Sequence, residues 1–132
     1  MALVLDTHAA VWYLLKPGSL SDVALRRIRS EVSKGQPLYI SSISIIECIY
    51  LVERGRMPQS SLERLMQVLK DTSSGFLVED VTVPVSEALE KISGDAVPDM
   101  PDRIIAATAI HLGLPLVTRD AEIQAAGIPS IW

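Results

Sequence analysis

A second cysteine is absent, so Cys48, set in the apolar run IIECIYLV, has no intrachain partner; a buried, reduced thiol in the cytoplasm is expected. Also missing is any apolar run near the roughly 18 residues needed to span a bilayer. The opening stretch MALVLDTHAAVWYLL has no basic head and holds Asp6 in its middle, which predicts a soluble, unexported chain with no membrane partner. Positive charge is in deficit: 12 Lys and Arg stand against 16 Asp and Glu, a formal net charge of -4. That balance argues against general electrostatic attraction to nucleic acid, so any polyanion must be held locally. Gathering four carboxylates around divalent cations would bring the remaining charge near balance, so acidity does not exclude a phosphate substrate. With no repeat, low-complexity tract or linker, residues 1–132 are read as one domain.

What the chain does have is apolar content, 48% of its 132 residues, enough for a core that buries about two-thirds of the unfolded surface. The mean hydropathy of +0.30 is high for so small a monomer. Apolar surface that one core leaves uncovered goes into a subunit or partner contact, which predicts at least a homodimer. Residues 2–5, ALVL, read as a strand ended by Asp6, and THAAVWYLL as a helix stopped at Pro17-Gly18. Ser21 is an N-cap candidate before DVALRRIRSEVSKG, where Val23, Leu25, Ile28 and Val32 make a helical stripe closed by Gly35. Pro37 to Ile40 is strand-like. A helix running to Gly55 and a second from about Ser60 to Lys70 are expected to form a helical hairpin. FLVEDVTV is read as a strand, Val85 to Ile92 as a short helix and Gly94 to Pro98 as a loop. DRIIAATAIHLG, LPLVTRD and IPSIW follow as helix, strand and terminal strand. Alternating strands and helices place the chain in the α/β class, with a mostly parallel sheet covered on both faces.

In such sheets sites lie beyond the carboxyl ends of the strands, and acidic residues occupy those addresses. Asp6 ends the first strand, Asp120 ends LPLVTR, Glu47 lies one turn into the helix after PLYI, and Asp102 opens a helix with Asp99 three residues earlier. Each has a structural alternative. Ser44 and Glu47 match a capping box, Asp99 an N-cap with Asp102 complementing the helix dipole, and Asp6 and Asp120 ordinary turn residues. Joint placement weighs against those alternatives, because clustered carboxylates without a cation repel, raise one another's pKa and cost stability. Mg²⁺ or Mn²⁺ would make use of them: a hard ion takes oxygen ligands, keeps several waters, polarises a phosphoryl oxygen and activates a water. Such an arrangement is suited to phosphodiester hydrolysis.

Four segments in order, LVLDTHAAVWYLL, LYISSISIIECIYLVERGRM, DMPDRIIAATAIHLGLPLVTRDAEI and IPSIW, resemble the PIN-domain family, and within it the VapC-type toxins of bacterial toxin–antitoxin pairs. The resemblance runs nearly end to end. It implies a three-layer fold with a central, mostly parallel sheet, and a Mg²⁺- or Mn²⁺-dependent endoribonuclease held in check by a cognate, VapB-like antitoxin. The family's acidic residues map onto Asp6, Glu47, Asp102 and Asp120 as metal-binding and catalytic groups, with Asp99 at an accessory acidic position. Many relatives place proline directly after the first Asp of the third segment; here Met100 intervenes before Pro101.

Around these acids, Thr7, Thr118, Ser41 and Ser44 are candidates to orient a carboxylate or a water, against the alternative of local backbone bonds and caps. Arg103 and Arg119, flanking Asp102 and Asp120, are candidates for a substrate phosphate, or equally for a salt bridge to a neighbouring carboxylate. Arg26, Arg27, Arg29 and Lys34 form a basic cluster that would guide RNA, with Arg54 and Arg56 a second patch; solvated helix faces are the commoner explanation. His8 and Trp12 share a helix face beside Asp6, with Trp12 expected in the core and His8 packed or on the surface. His111 is read as structural. The stripe on Ile45, Ile49 and Val52 fits an antitoxin helix or ordinary packing.

Two other Asp-after-strand classes fit less well. An aspartyl-phosphate phosphatase has a second Asp where His8 stands, and a receiver domain needs an early acidic pair and a late lysine. The rival from another class is a catalytically silent PIN-like module that binds RNA or protein, disfavoured by the presence of all four acids.

Overall fold

Residues 1–132 are described by a computed structural model. Its centre is the segment Leu3–Leu5 (β1), in which all three side chains are fully buried. A strand buried on both faces needs no polar alternation, which is why LVL reads as a plain apolar run. β2 (Leu38–Ser41), β3 (Phe76–Glu79), β4 (Leu116–Val117) and β5 (Ser130–Ile131) complete a sheet in the order β3-β2-β1-β4-β5. Every neighbouring pair is parallel, with Leu5 opposite both Ile40 and Val117. The expected mostly parallel sheet is thus parallel throughout.

Side chains leave the strands alternately. Leu3, Leu5, Leu38 and Ile40 enter a core with α1 (Thr7–Leu15), α2 (Asp22–Ser33), α3 (Ser42–Glu53) and α4 (Gln59–Lys70). Val4 and Leu116 enter another with α5 (Val83–Ala88), α6 (Met100–Leu112) and α7 (Ala121–Ala125). Both clusters hold 14 buried residues, so both faces of the sheet are covered except at the edge strand β3, where Leu77 is exposed. Truncating a fully buried member such as Leu5→Ala should cost about 2–5 kcal/mol. The helical hairpin expected across Gly55 is present, α3 packing on α4. Cys48 is buried and unpaired as expected. Ser21 caps α2 through Ala24 N. No helix is long and apolar enough to cross a membrane.

Several boundaries differ from expectation. FLVEDVTV is strand only to Glu79, because Thr82 accepts from Val85 N at 3.3 Å and Pro84 sits in the first helical turn, so cap chemistry overrides the β-branched run. Helix therefore begins at Val83, and after Ala88 it tightens into a 3-10 turn over Leu89–Lys91. The proposed capping box at Ser44 is not formed: Ser41 caps α3 through Ile43 N, and Ser44 lies inside the helix. In LPLVTRD the strand is just Leu116–Val117, since Thr118 accepts from Asp120 N and turns the chain into α7, a helix the sequence reading lacks.

Candidate metal centre

From β1 the sheet grows through β2 and β3 on one side and through β4 and β5 on the other. Loops leaving β1 and β4 consequently diverge to opposite faces and open a crevice at the carboxyl edge. Asp6 directly follows β1, and Asp120 lies three residues past β4. Both are helix N-caps. Asp6 Oδ1 accepts from Ala9 N at 2.8 Å and Asp120 Oδ1 from Ile123 N at 3.0 Å. Asp99 caps α6 in the same manner, accepting from Asp102 N at 3.0 Å, and Asp102 is in that helix's first turn. Each capping carboxylate is fixed through one oxygen and keeps the other for a ligand. The turn-residue alternative for Asp6 and Asp120 gives way to a cap, and a cap leaves room for chemistry.

Glu47 arrives from the second turn of α3 and is held by Thr7, whose hydroxyl donates to Glu47 Oε1 and lies 2.8 Å from Ser44 Oγ. A carboxylate only accepts, so the single Thr7 proton serves Glu47 and the Ser44 hydroxyl supplies the other bond. Thr7, Ser44, Ser41 and Thr118 are all buried. Thr118 lies close enough to Asp6 to favour its ionised form. Thus Thr7, Ser44 and Thr118 support the acids, while Ser41 is spent on the α3 cap.

The carboxylates feel one another. Burial pushes Asp102 up to about 7, with the negative charges of Asp99, Asp120 and Glu47 adding to it. Asp6 is raised by burial, against the lowering effect of Thr118, the Ala9 amide and His8. Glu47 is raised by burial and by Asp99 and Asp6, against Thr7 and His8. None has an ion-pair partner, because all three salt bridges of the structure converge on Glu31. Asp6, Asp102 and Asp120 line a cleft of about 260 Å³ together with His8, Trp12, Arg119 and Trp132.

The donors suit a hard cation: they are carboxylate oxygens, with no thiolate and no buried imidazole among them. No three such side chains stand close enough to form a ready-made cage. Mg²⁺ does not need one, since it is usually bound through one or two carboxylates plus waters and substrate phosphate.

Residues 3–128 match the family model described as "PIN domain". The chain belongs to the PIN-domain family. It is similar to the Ribonuclease VapC22 of Mycobacterium tuberculosis, 28% identical over 134 residues covering 98% of this chain and 97% of that protein. Among solved structures it is similar to VapBC2 from Rickettsia felis bound to a promoter DNA fragment (TM-score 0.72, 18% identity, all of both chains). A second is the Sarcin-Ricin loop cleaving toxin VapC20 of Mycobacterium tuberculosis (TM-score 0.64, 20% identity, 96% of this chain and 95% of that one). The three-layer α/β fold expected from the resemblance is the fold observed.

Other candidates of this PIN domain are dispersed. Arg103 points away from the acids: Nε and Nη2 donate to Ile92 O at 3.1 and 2.8 Å, and Nη2 to Leu89 O at 2.9 Å, tying α6 to the 3-10 turn. Arg103 forms no carboxylate salt bridge, and these bonds engage its guanidinium with the scaffold. Arg27 pairs with Glu31 at 3.2 Å and Lys34 lies 3.8 Å from it, beside the Met1 amine at the opposite end of β1. Arg26 and Arg29 are exposed on α2, and none of these three arginines lines the cleft. Arg54 lies over the Tyr50 ring. Arg119 does reach the cleft, yet its guanidinium sits 4.9 Å over the Trp12 ring and forms no salt bridge. Trp12 is half-buried at the cleft wall instead of wholly in the core, and exposed His8 lies 5.4 Å from it. His111 is exposed in the last turn of α6, so it is not a core histidine. Trp132 was missed altogether. Its signal was available: only two tryptophans occur in the chain, and one closes the IPSIW segment.

Proposed function

We propose that this single PIN domain is the toxin of a type II toxin–antitoxin pair, an endoribonuclease that hydrolyses RNA phosphodiester bonds with Mg²⁺ or Mn²⁺. The observation that carries this reading is the convergence of Asp6, Glu47, Asp102 and Asp120 at the β1/β4 crevice with no cationic side chain paired to them. Of these four, one or two would ligate the ion directly and the others would hold its waters, with Asp99 accessory to them. A bound divalent ion would supply Lewis-acid polarisation of a phosphoryl oxygen and ease deprotonation of water at neutral pH. The chain's own groups do the rest. The caps at Ala9 N and Ile123 N fix Asp6 and Asp120, and Thr7 fixes Glu47, so the charges are oriented before substrate arrives. Asp102, raised to about 7 by burial and its acidic neighbours, would give up its proton to make way for a cation. In the reaction a water oxygen bonds to phosphorus and loses a proton, the scissile P–O bond breaks, and the departing oxygen takes up a proton.

The partner reading rests on α3. Ile46, Ile49 and Tyr50 are exposed at i, i+3 and i+4 spacing, an apolar face suited to a VapB-like antitoxin helix or to the second copy in a homodimer. A cytoplasmic location fits the reduced Cys48. The silent binding module is disfavoured, because a site with no chemistry to perform gains nothing from raised, unpaired carboxyls.

The deciding experiment uses protein freed of antitoxin, incubated with structured RNA plus Mg²⁺, Mn²⁺ or chelator. Cleavage is expected only with metal and is expected to vanish in Asp6→Asn and Asp102→Asn. Survival in those variants would sink the assignment, and no cleavage of any RNA would favour the silent module.

A further inference from the structure

The cleft is lined by two unlike groups. Asp6, Asp102 and Asp120 are acidic; His8, Trp132 and Arg119 gather around Trp12 as an aromatic and cationic wall. This wall is assembled from opposite ends of the chain and contains both of its tryptophans. Each ring is half-buried, packed on the α1-side core and lining the same cleft as the acids. Trp132 meets Trp12 at 6.0 Å between centroids with a tilt of 53°, so it does not cover its neighbour as a flat stack would. The Arg119 guanidinium lies 4.9 Å from the Trp12 ring centroid, a cation–π contact that holds the ring and sets a positive charge beside it.

Phosphate attraction alone does not account for substrate affinity here. The net charge is -4, three carboxylates face the cleft, and Arg119 is the only Lys or Arg among its lining residues. Aromatic faces bind bases without regard to charge, and with little regard to sequence. Bases inside a duplex are already stacked, whereas those of loops and bulges can splay out onto an aromatic ring.

We propose that Trp12 and Trp132 form a stacking subsite for one unpaired nucleobase beside the scissile phosphodiester. The proposal rests on the ribonuclease reading and adds the feature of RNA that the site reads. Arg119 acts as a positioning residue for Trp12.

Because both tryptophans belong to this wall, intrinsic fluorescence reports on it alone. The probes are hexauridylate and an abasic ribose-phosphate hexamer of equal charge, titrated in an Asp6→Asn background to hold off cleavage. Hexauridylate should quench emission and bind about 5- to 100-fold more tightly than the abasic hexamer. In the otherwise unaltered protein, Trp132→Ala should raise KM for a loop-containing RNA by a similar factor while kcat stays within about threefold, and Trp132→Phe should restore most of the loss. Melting curves would identify a Trp132→Ala protein that fails to fold, in which case the Phe variant and the two hexamers decide. Equal quenching by both hexamers, or none, overturns the proposal even if metal-dependent cleavage is robust. Base-dependent quenching without cleavage of any RNA would uphold the subsite and remove the hydrolytic reading.

Discussion

At the N-terminal end of β1, Glu31 is 3% exposed and accepts from the Met1 amine at 2.7 Å, with Arg27 Nε at 3.2 Å and Lys34 Nζ at 3.8 Å. At the carboxyl end of the same strand, Asp6, Glu47 and Asp102 have burial and mutual repulsion and no paired cation. The consequences are opposite in sign: the Met1 amine holds the Glu31 carboxyl below its ordinary range, while the other three are raised. One buried acid is satisfied by the chain itself. The other three have no such partner within the chain, and under the proposed function a divalent ion would supply it.

Removing charge at each end separates the two roles most sharply. Asp102→Asn or Asp6→Asn should lower metal-dependent RNA cleavage by on the order of 10²–10⁴-fold, while the metal-free protein melts no lower than the parent, since a repulsive charge has been removed. Glu31→Gln should do the reverse, lowering the melting temperature and leaving kcat/KM unchanged. Comparable loss of cleavage from all three substitutions would break the comparison. An intermediate effect is expected at Thr7→Val, which keeps the buried shape but frees Glu47 and strands the Ser44 hydroxyl. Supports of this kind are worth roughly 10–100-fold in metal affinity or activity. Titrating Mn²⁺ against Thr7→Val would place the loss in affinity, whereas an unchanged midpoint with a lower plateau would place it in turnover.

Dependence on pH supplies a milder contrast. A carboxyl held near 7 in the fold, against an ordinary value of 3.8, keeps its proton preferentially when folded. Its stabilising effect is therefore full below about pH 4 and is lost as pH rises through 7. The metal-free protein should melt progressively lower between pH 5 and 8; Asp102→Asn should flatten that slope, and added Mg²⁺ should raise the melting temperature most at the alkaline end. Glu31, lowered in the fold, has the opposite sign, its contribution failing only as pH falls through the acid range. A metal-free melt flat from pH 5 to 8 would mean that Asp102 is not raised.

Much of this was legible in the sequence because it is local. Alternation of LVL, PLYI and LPLV with helical stripes carries the α/β class, and an acid directly after an apolar run carries Asp6. Asp99 as a cap with Asp102 behind it was likewise readable from spacing, and both are found so. What escaped is what depends on distant parts meeting. Thr82 and Pro84 together outweigh the β propensity of Val81 and Val83, and the resulting turn leaves Val83 72% exposed. Arg103 follows Asp102 by one position, yet on a helix that step turns its side chain about 100° away, toward the carbonyls of Leu89 and Ile92. Trp132 comes beside Trp12 only because β5 is placed next to β4; nothing within IPSIW encodes that neighbour.

Arg103 also provides the smallest expected effect and the finest test of the division. Its three hydrogen bonds end on backbone carbonyls of the turn after α5, so its charge serves to lock α6 against that turn. Charge-assisted bonds of this type are worth about 1.5–3 kcal/mol in total stability when the site is partly buried. Arg103→Ala should accordingly lower the denaturation midpoint while KM for RNA, and its salt dependence, stay within about twofold. A phosphate contact would behave otherwise: KM would rise, and the slope of affinity against salt would shrink by nearly one counterion. Observing that shrinkage would move Arg103 from the scaffold to the substrate side of the site, and the two neighbours Asp102 and Arg103 would then act on the same phosphate.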